Sequence, residues 1–202
     1  MNFRAIGAIF SMVMPIATQA EAAWVADQTV QQQLADGKVA VRIEFEGDPS
    51  RIRVQAAVKI NASPEAIWTV LTDCDHASSF IPGVKRCRRI ESAPDDSWEI
   101  IEHEAKFSWF MPAITSVIRT EYKRPDRIDF QRISGDLKYE QGDWVLDPAP
   151  SPDDPSTIVE YDLHVDPGFW VPRVLLRHSL RSELPAALTA LRQRAESTIA
   201  KR

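Results

Sequence analysis

Side chains able to do chemistry are sparse in this sequence. Four histidines and two cysteines are spread over 202 residues. Cys74, His76 and Cys87 are of ligand types that suit zinc, but a closed site takes four ligands and no fourth is identifiable, so no metal is expected. The cysteines have a second use: Cys74 and Cys87 can pair as a disulfide in an oxidising compartment or stay as separate thiols, and their spacing does not choose. His103 is the best acid–base candidate. In Ile101-Glu102-His103-Glu104-Ala105 it falls on the face opposite the glutamates, where an imidazole either moves a proton or hydrogen-bonds a neighbour. Arg132 would need a carboxylate partner if it faced inward. No Ser-His-Asp arrangement at recognisable spacing and no phosphate loop is present, so neither a catalytic set nor a cofactor is expected.

Those residues lie on elements that periodicity makes legible. Val39, Val41, Ile43 and Phe45 alternate with polar residues, and Ile52, Val54, Ala56, Val58 and Ile60 repeat the pattern beyond the turn Gly47-Asp48-Pro49-Ser50, which predicts an antiparallel pair. Ser63 suits an N-cap and Pro64 the first helical position, and Ile67, Trp68 and Leu71 form a stripe. A second short helix carries Phe80 and Ile81 before Pro82-Gly83. Six strands are then expected at 84–92, 97–108, 113–124, 127–134, 138–147 and 156–166, separated by Pro, Gly and Asp turns. Their parity gives one dry and one wet face, as in an antiparallel sheet covered on one side. The cover is an amphipathic run from Trp170 with Val174, Leu175, Leu180, Leu184, Leu188, Leu191, Ala195 and Ile199 on its apolar side. Pro185 is expected to kink or split it.

The first 22 residues differ in kind. Arg4, the apolar run Ala5–Met14, the breaker Pro15 and small residues up to Ala22 read as a cleaved signal peptide, which predicts a mature chain beginning at Ala23 in the periplasm or outside the cell. Residues 23–37 form an N-terminal extension and residues 38–202 one domain. The net charge of −5 does not suit nucleic acid, and no such partner is expected.

Ala62-Ser63-Pro64-Glu65-Ala66-Ile67-Trp68-Thr69-Val70-Leu71-Thr72-Asp73, followed by Phe80-Ile81-Pro82-Gly83-Val84, resembles the first helix pair of the START-like (SRPBCC) superfamily, in its polyketide cyclase/dehydrase and coenzyme Q-binding branch. Gly142-Asp143-Trp144-Val145-Leu146 and Thr157-Ile158-Val159-Glu160-Tyr161 extend the resemblance over about residues 38 to 200. The resemblance implies an α+β helix-grip fold, in which a curved antiparallel sheet wraps a long C-terminal helix around an apolar cavity. It implies a non-catalytic carrier or binding protein for a hydrophobic small molecule or lipid, a quinone-like molecule being one candidate. The alternatives are an aromatase or cyclase using the same cavity and an interaction module. Carried over residue by residue, Phe80, Ile81 and Pro82 border the mouth, Phe107, Trp109, Phe110, Ile118, Phe130, Trp144, Tyr161 and Leu175 line the wall with His103, and Trp170 caps it. The stretch Phe107-Ser108-Trp109-Phe110-Met111 packs too many large apolar residues for one face of a strand, so its tip is a candidate for transient membrane contact.

Overall fold

A computed structural model describes residues 24–47, 50–106, 112–149, 151 and 153–199. Residues 1–22, expected to be a signal peptide, and the stretch Phe107–Met111 lie outside the described residues. The chain runs α1 (Gln28–Ala35), β1 (Ala40–Phe45), β2 (Ile52–Ile60), α2 (Pro64–Leu71), α3 (Ala77–Phe80), β3 (Val84–Ser92), β4 (Trp98–Ala105), β5 (Ile114–Lys123), β6 (Arg127–Gly135), β7 (Tyr139–Pro148), β8 (Thr157–Asp166) and α4 (Arg173–Ile199). The strands form one eight-stranded antiparallel sheet in the order β1-β2-β8-β7-β6-β5-β4-β3. The α2–α3 pair carries the chain from β2 to the far edge, and a meander then returns it strand by strand until β8 closes against β2. The far edge, β3, is studded with Lys85, Arg86, Arg88 and Arg89, charges that discourage a further strand from pairing there.

Local chemistry explains the crossover. The Ser63 hydroxyl accepts from the Ala66 N–H at 3.4 Å and Pro64 opens α2, which buries Ile67, Trp68 and Val70. Gly83 takes a left-handed φ of 86° between α3 and β3. Cys74, in the break after α2, is disulfide-bonded to Cys87 on β3, with Cα atoms 5.3 Å apart. The bond ties the helix pair to the sheet edge and leaves neither sulfur for zinc.

The core lies between the sheet and α4. Ala56, Val58, Ile60, Leu146 and Val159 meet Ile67 and Val70 of α2 and Leu188, Leu191 and Ala195 of α4. Beside it, Ile52 and Val54 pack on Leu176. The helix is continuous through Pro185 from Arg173 to Ile199; packing on the sheet over both halves holds it together where its sequence predicts a break. Its buried residues also correct the expected stripe. Leu176, Leu188, Leu191 and Ala195 face the sheet, while Val174 and Leu175 are 80% and 43% exposed. With 3.6 residues per turn, a one-residue offset rotates a side chain by about 100°, so moving the anchor from Leu175 to Leu176 turns both neighbours outward.

The back of the sheet is not uniformly wet. Trp24, Val25, Val30 and Leu34 bury themselves against Ala40, Ala57 and the half-buried Ile158. Ala40 and Ala57 carry only methyl groups, which lets the N-terminal segment and α1 approach closely. β2 is therefore buried on both faces from Val54 to Val58.

Candidate ligand-binding site

The concave face of β4–β8 carries four of the eight residues expected to form a wall, Ile118, Phe130, Trp144 and Tyr161; Leu175 lies on α4, 43% exposed. Ile101 of β4, Ile118 of β5 and Phe130 of β6 are buried together with Cys74, and the half-buried Cys87, Trp144, Tyr161 and Leu163 pack around them. Phe130 stacks on Tyr161 with centroids 6.1 Å apart, and Trp144 lies 4.3 Å from Tyr161 at a tilt of 36°. Gly142 makes this possible. A Cβ there would lie 2.7 Å from the Phe130 ring and 2.1 Å from the Asp162 carbonyl oxygen, so only glycine lets the ring lie over β7.

Among the described residues, no α4 side chain belongs to this second cluster; α4 covers the β1, β2 and β8 side. Trp144 and Tyr161 also pack on the main core and Leu163 on the Ile52, Val54 and Leu176 cluster, yet all three keep accessible surface. His103 and Glu140 also keep some surface, yet desolvation dominates both: it pushes the His103 pKa below its usual value and that of Glu140 above its own. Burial likewise pushes the Tyr161 phenol far up. Groups crowded by protein and still touched by solvent are surface that a bound apolar molecule can cover.

Polar groups on this face were only partly legible. His103 stands in register between Cys87 and Ser116. Among the described residues its imidazole makes no hydrogen bond, and Glu99 is the charge that most favours its protonation. Glu99 is almost fully buried and accepts from Arg89 and from the Tyr122 hydroxyl. Glu140 accepts from the Ser116 hydroxyl, with Arg132 close enough to draw its pKa down against the larger effect of burial. Parity held the signal: Glu99 is in step with Ile101, and Glu140 with Trp144 and Leu146.

The remaining expected site residues are dispersed. Phe80 packs half-buried against the main core and beneath Arg194, whose guanidinium carbon is 5.9 Å from the ring centre. Ile81 is half-buried and Pro82 exposed in the following turn. Trp170 is 85% exposed and points into solvent where a cap was expected; it precedes α4 and has no core residue opposite it. Phe107, Trp109 and Phe110 lie outside the described residues. On the outer face, Glu121, Asp129, Asp143 and Asp162 stand opposite one another across β5–β8 around a hollow of about 270 Å³. Arg119, Lys123, Arg127, Arg53 and His164 pair with them, so the row is an ion-pair network.

An eight-stranded antiparallel sheet gripping a long C-terminal helix, crossed by a short helix pair, is the helix-grip fold of START-like proteins. A family model described as polyketide cyclase / dehydrase and lipid transport matches residues 60–192, and the chain belongs to that family. No curated protein matches in sequence. Three solved structures share the fold at low identity. A START superfamily protein from Mycobacterium smegmatis is 19% identical, with a TM-score of 0.63 over 72% of this chain and 98% of that one. A STAR-related lipid transfer protein from Xanthomonas axonopodis is 20% identical, with a TM-score of 0.63 over 78% and 92%. The Zhui aromatase/cyclase from Streptomyces sp. R1128 is 16% identical, with a TM-score of 0.61 over 74% and 96%.

Proposed function

We propose that the protein is an exported, non-catalytic carrier that holds a hydrophobic small molecule or lipid on the concave face of its sheet. The observation that carries this reading is the set of large inward residues, Trp144, Tyr161 and Leu163, that α4 leaves partly uncovered. Burying apolar ligand surface against them yields about 25 cal/mol per Å², so ~300 Å² gives a gross term of about 7 kcal/mol before association costs. Export is supported by the signal-like N-terminus and by a disulfide that an oxidising compartment would preserve. Transient membrane contact is supported by the exposed Phe169, Trp170, Val174 and Leu175, beside Arg173, Arg177 and Arg181 with no acidic residue between Asp166 and Glu183.

Mass spectrometry of protein purified without detergent tests the reading. A stoichiometric hydrophobic molecule, released unchanged on denaturation, is the expected result. A chain that never carries or accepts such a molecule, or one that converts an offered polyketide chain, would overturn it.

A further inference from the structure

An apolar wall accounts for the burial of a hydrophobic body but not for the polar side chains on the same face: Thr120, whose buried hydroxyl has no partner among the described residues, and four others grouped together. Two lie on neighbouring strands: His103 of β4 and Ser116 of β5 are register partners. Ile118, one inward step along β5 from Ser116, pairs with Arg132 of β6, which is two residues from Phe130 and shares its face; the extra residue of the register shift, Ile133, comes after it. The β6–β7 ladder ends at Gln131 and Gln141, so the next position across from Arg132 is Glu140. The Ser116 hydroxyl then closes the group by donating to Glu140.

This group is incompletely satisfied. One terminal nitrogen of Arg132 donates to the Gly135 carbonyl at 2.8 Å, but its Nε–H is buried with no acceptor among the described residues. His103 offers an unbonded imidazole beside its register partner Ser116, and Glu140 has acceptor capacity beyond the Ser116 bond. A buried donor without a partner is destabilising, so a ligand that supplies the acceptor recovers that penalty. The charges define the ligand head. A carboxylate or phosphate drawn to Arg132 would meet Glu140, and an ammonium drawn to Glu140 would meet Arg132. A hydroxyl fits both, accepting from Arg132 Nε–H and donating to the Glu140 carboxyl.

We infer that His103, Ser116, Arg132 and Glu140 form a polar pole in the apolar concavity that selects ligands bearing one uncharged hydroxyl over ligands with an anionic or cationic head. The inference rests on the proposed ligand-binding function and narrows its ligand class to amphipathic alcohols.

The test uses the full mature chain, stripped of bound molecules, at pH 7 with the fluorescent apolar probe N-phenyl-1-naphthylamine. Dodecanol, dodecanoate and dodecylamine compete for the probe at equal chain length. Dodecanol is expected to displace it at about tenfold lower concentration than either charged chain, the size of one hydrogen bond to a charged group. Arg132→Met should move the preference towards dodecylamine, and Glu140→Gln towards dodecanoate. Opposite shifts in two variants are not produced by a general loosening of the fold, and one folded variant suffices to read the direction. Equal displacement by all three chains, or a wild-type preference for either charged head, overturns the polar pole and leaves the carrier reading intact. Failure of probe and chains alike to bind overturns both.

Discussion

Breaking the Cys74–Cys87 disulfide should cost about 3 kcal/mol, and the figure follows from where the cysteines lie. They are 13 residues apart, and chain-entropy arithmetic for a closed loop of that order gives roughly 10 cal/mol/K, or about 3 kcal/mol at 25 °C. Cys74 is buried against Ile101, Ile118 and Phe130, so replacing both sulfurs adds a small packing loss. For a domain of this size, 1 kcal/mol corresponds to about 2–4 °C in Tm, so reduction or the double change Cys74→Ala, Cys87→Ala should lower Tm by about 6–12 °C. Calorimetry with and without dithiothreitol, alongside alkylation of the unreduced denatured chain, measures both quantities. Because the bond anchors the break between α2 and α3 to the edge strand, amide exchange should rise first in residues 72–83. Full alkylation of both thiols in protein taken from an oxidising compartment, or a Tm that ignores the reductant, would refute the reasoning.

Other outcomes follow from the same geometry. Trp144→Ala should destabilise the domain by about 3 kcal/mol, the lower end for a large aromatic because Trp144 is only half-buried, and denaturant melts will show it. Gly142→Ala should cost about 1–3 kcal/mol, since the new methyl meets the Asp162 carbonyl oxygen and the Phe130 ring; an unchanged midpoint would mean that β7 and β8 are spaced more widely. The folded-state pKa of His103 is depressed below 6.5, so the unfolded chain binds its proton first. Stability should therefore fall as pH drops below about 6.5, and His103→Gln should flatten that part of the profile. Trp170→Ser with Val174→Ser should leave Tm within about 1 °C, both side chains being exposed, while reducing sedimentation with anionic vesicles.

Strands were the most legible part of the molecule, because the period of two assigns a face to every residue once one is known. Ile118, Trp144 and Tyr161 were placed on the inward face by that rule alone, Phe130 by the family resemblance, and the same rule puts Glu99 and Glu140 beside them. Their partners could not be read. Arg89 and Tyr122 reach Glu99 from two different strands, and the Ser116 hydroxyl reaches Glu140 across β6. α4 was harder, because its first turns offer Val174, Leu175 and Leu176 in succession and only tertiary contact with Ile52 and Val54 selects Leu176. The role of residues 24–35 was also hidden: a short run with Val30 and Leu34 does not announce that it covers the back of β1 and β2.

The central claim is that the space in front of β4–β8 accepts an apolar molecule, and Leu163→Trp tests it directly. Leu163 faces that space half-buried, between Tyr161 and Val165 on β8. If the space is open, the indole enters it, Tm stays within about 2 °C of wild type, and N-phenyl-1-naphthylamine binding falls by at least tenfold. If the region is a filled core, the same change overpacks it, costs about 1–3 kcal/mol, and leaves probe binding as it was. That second result would contradict the account.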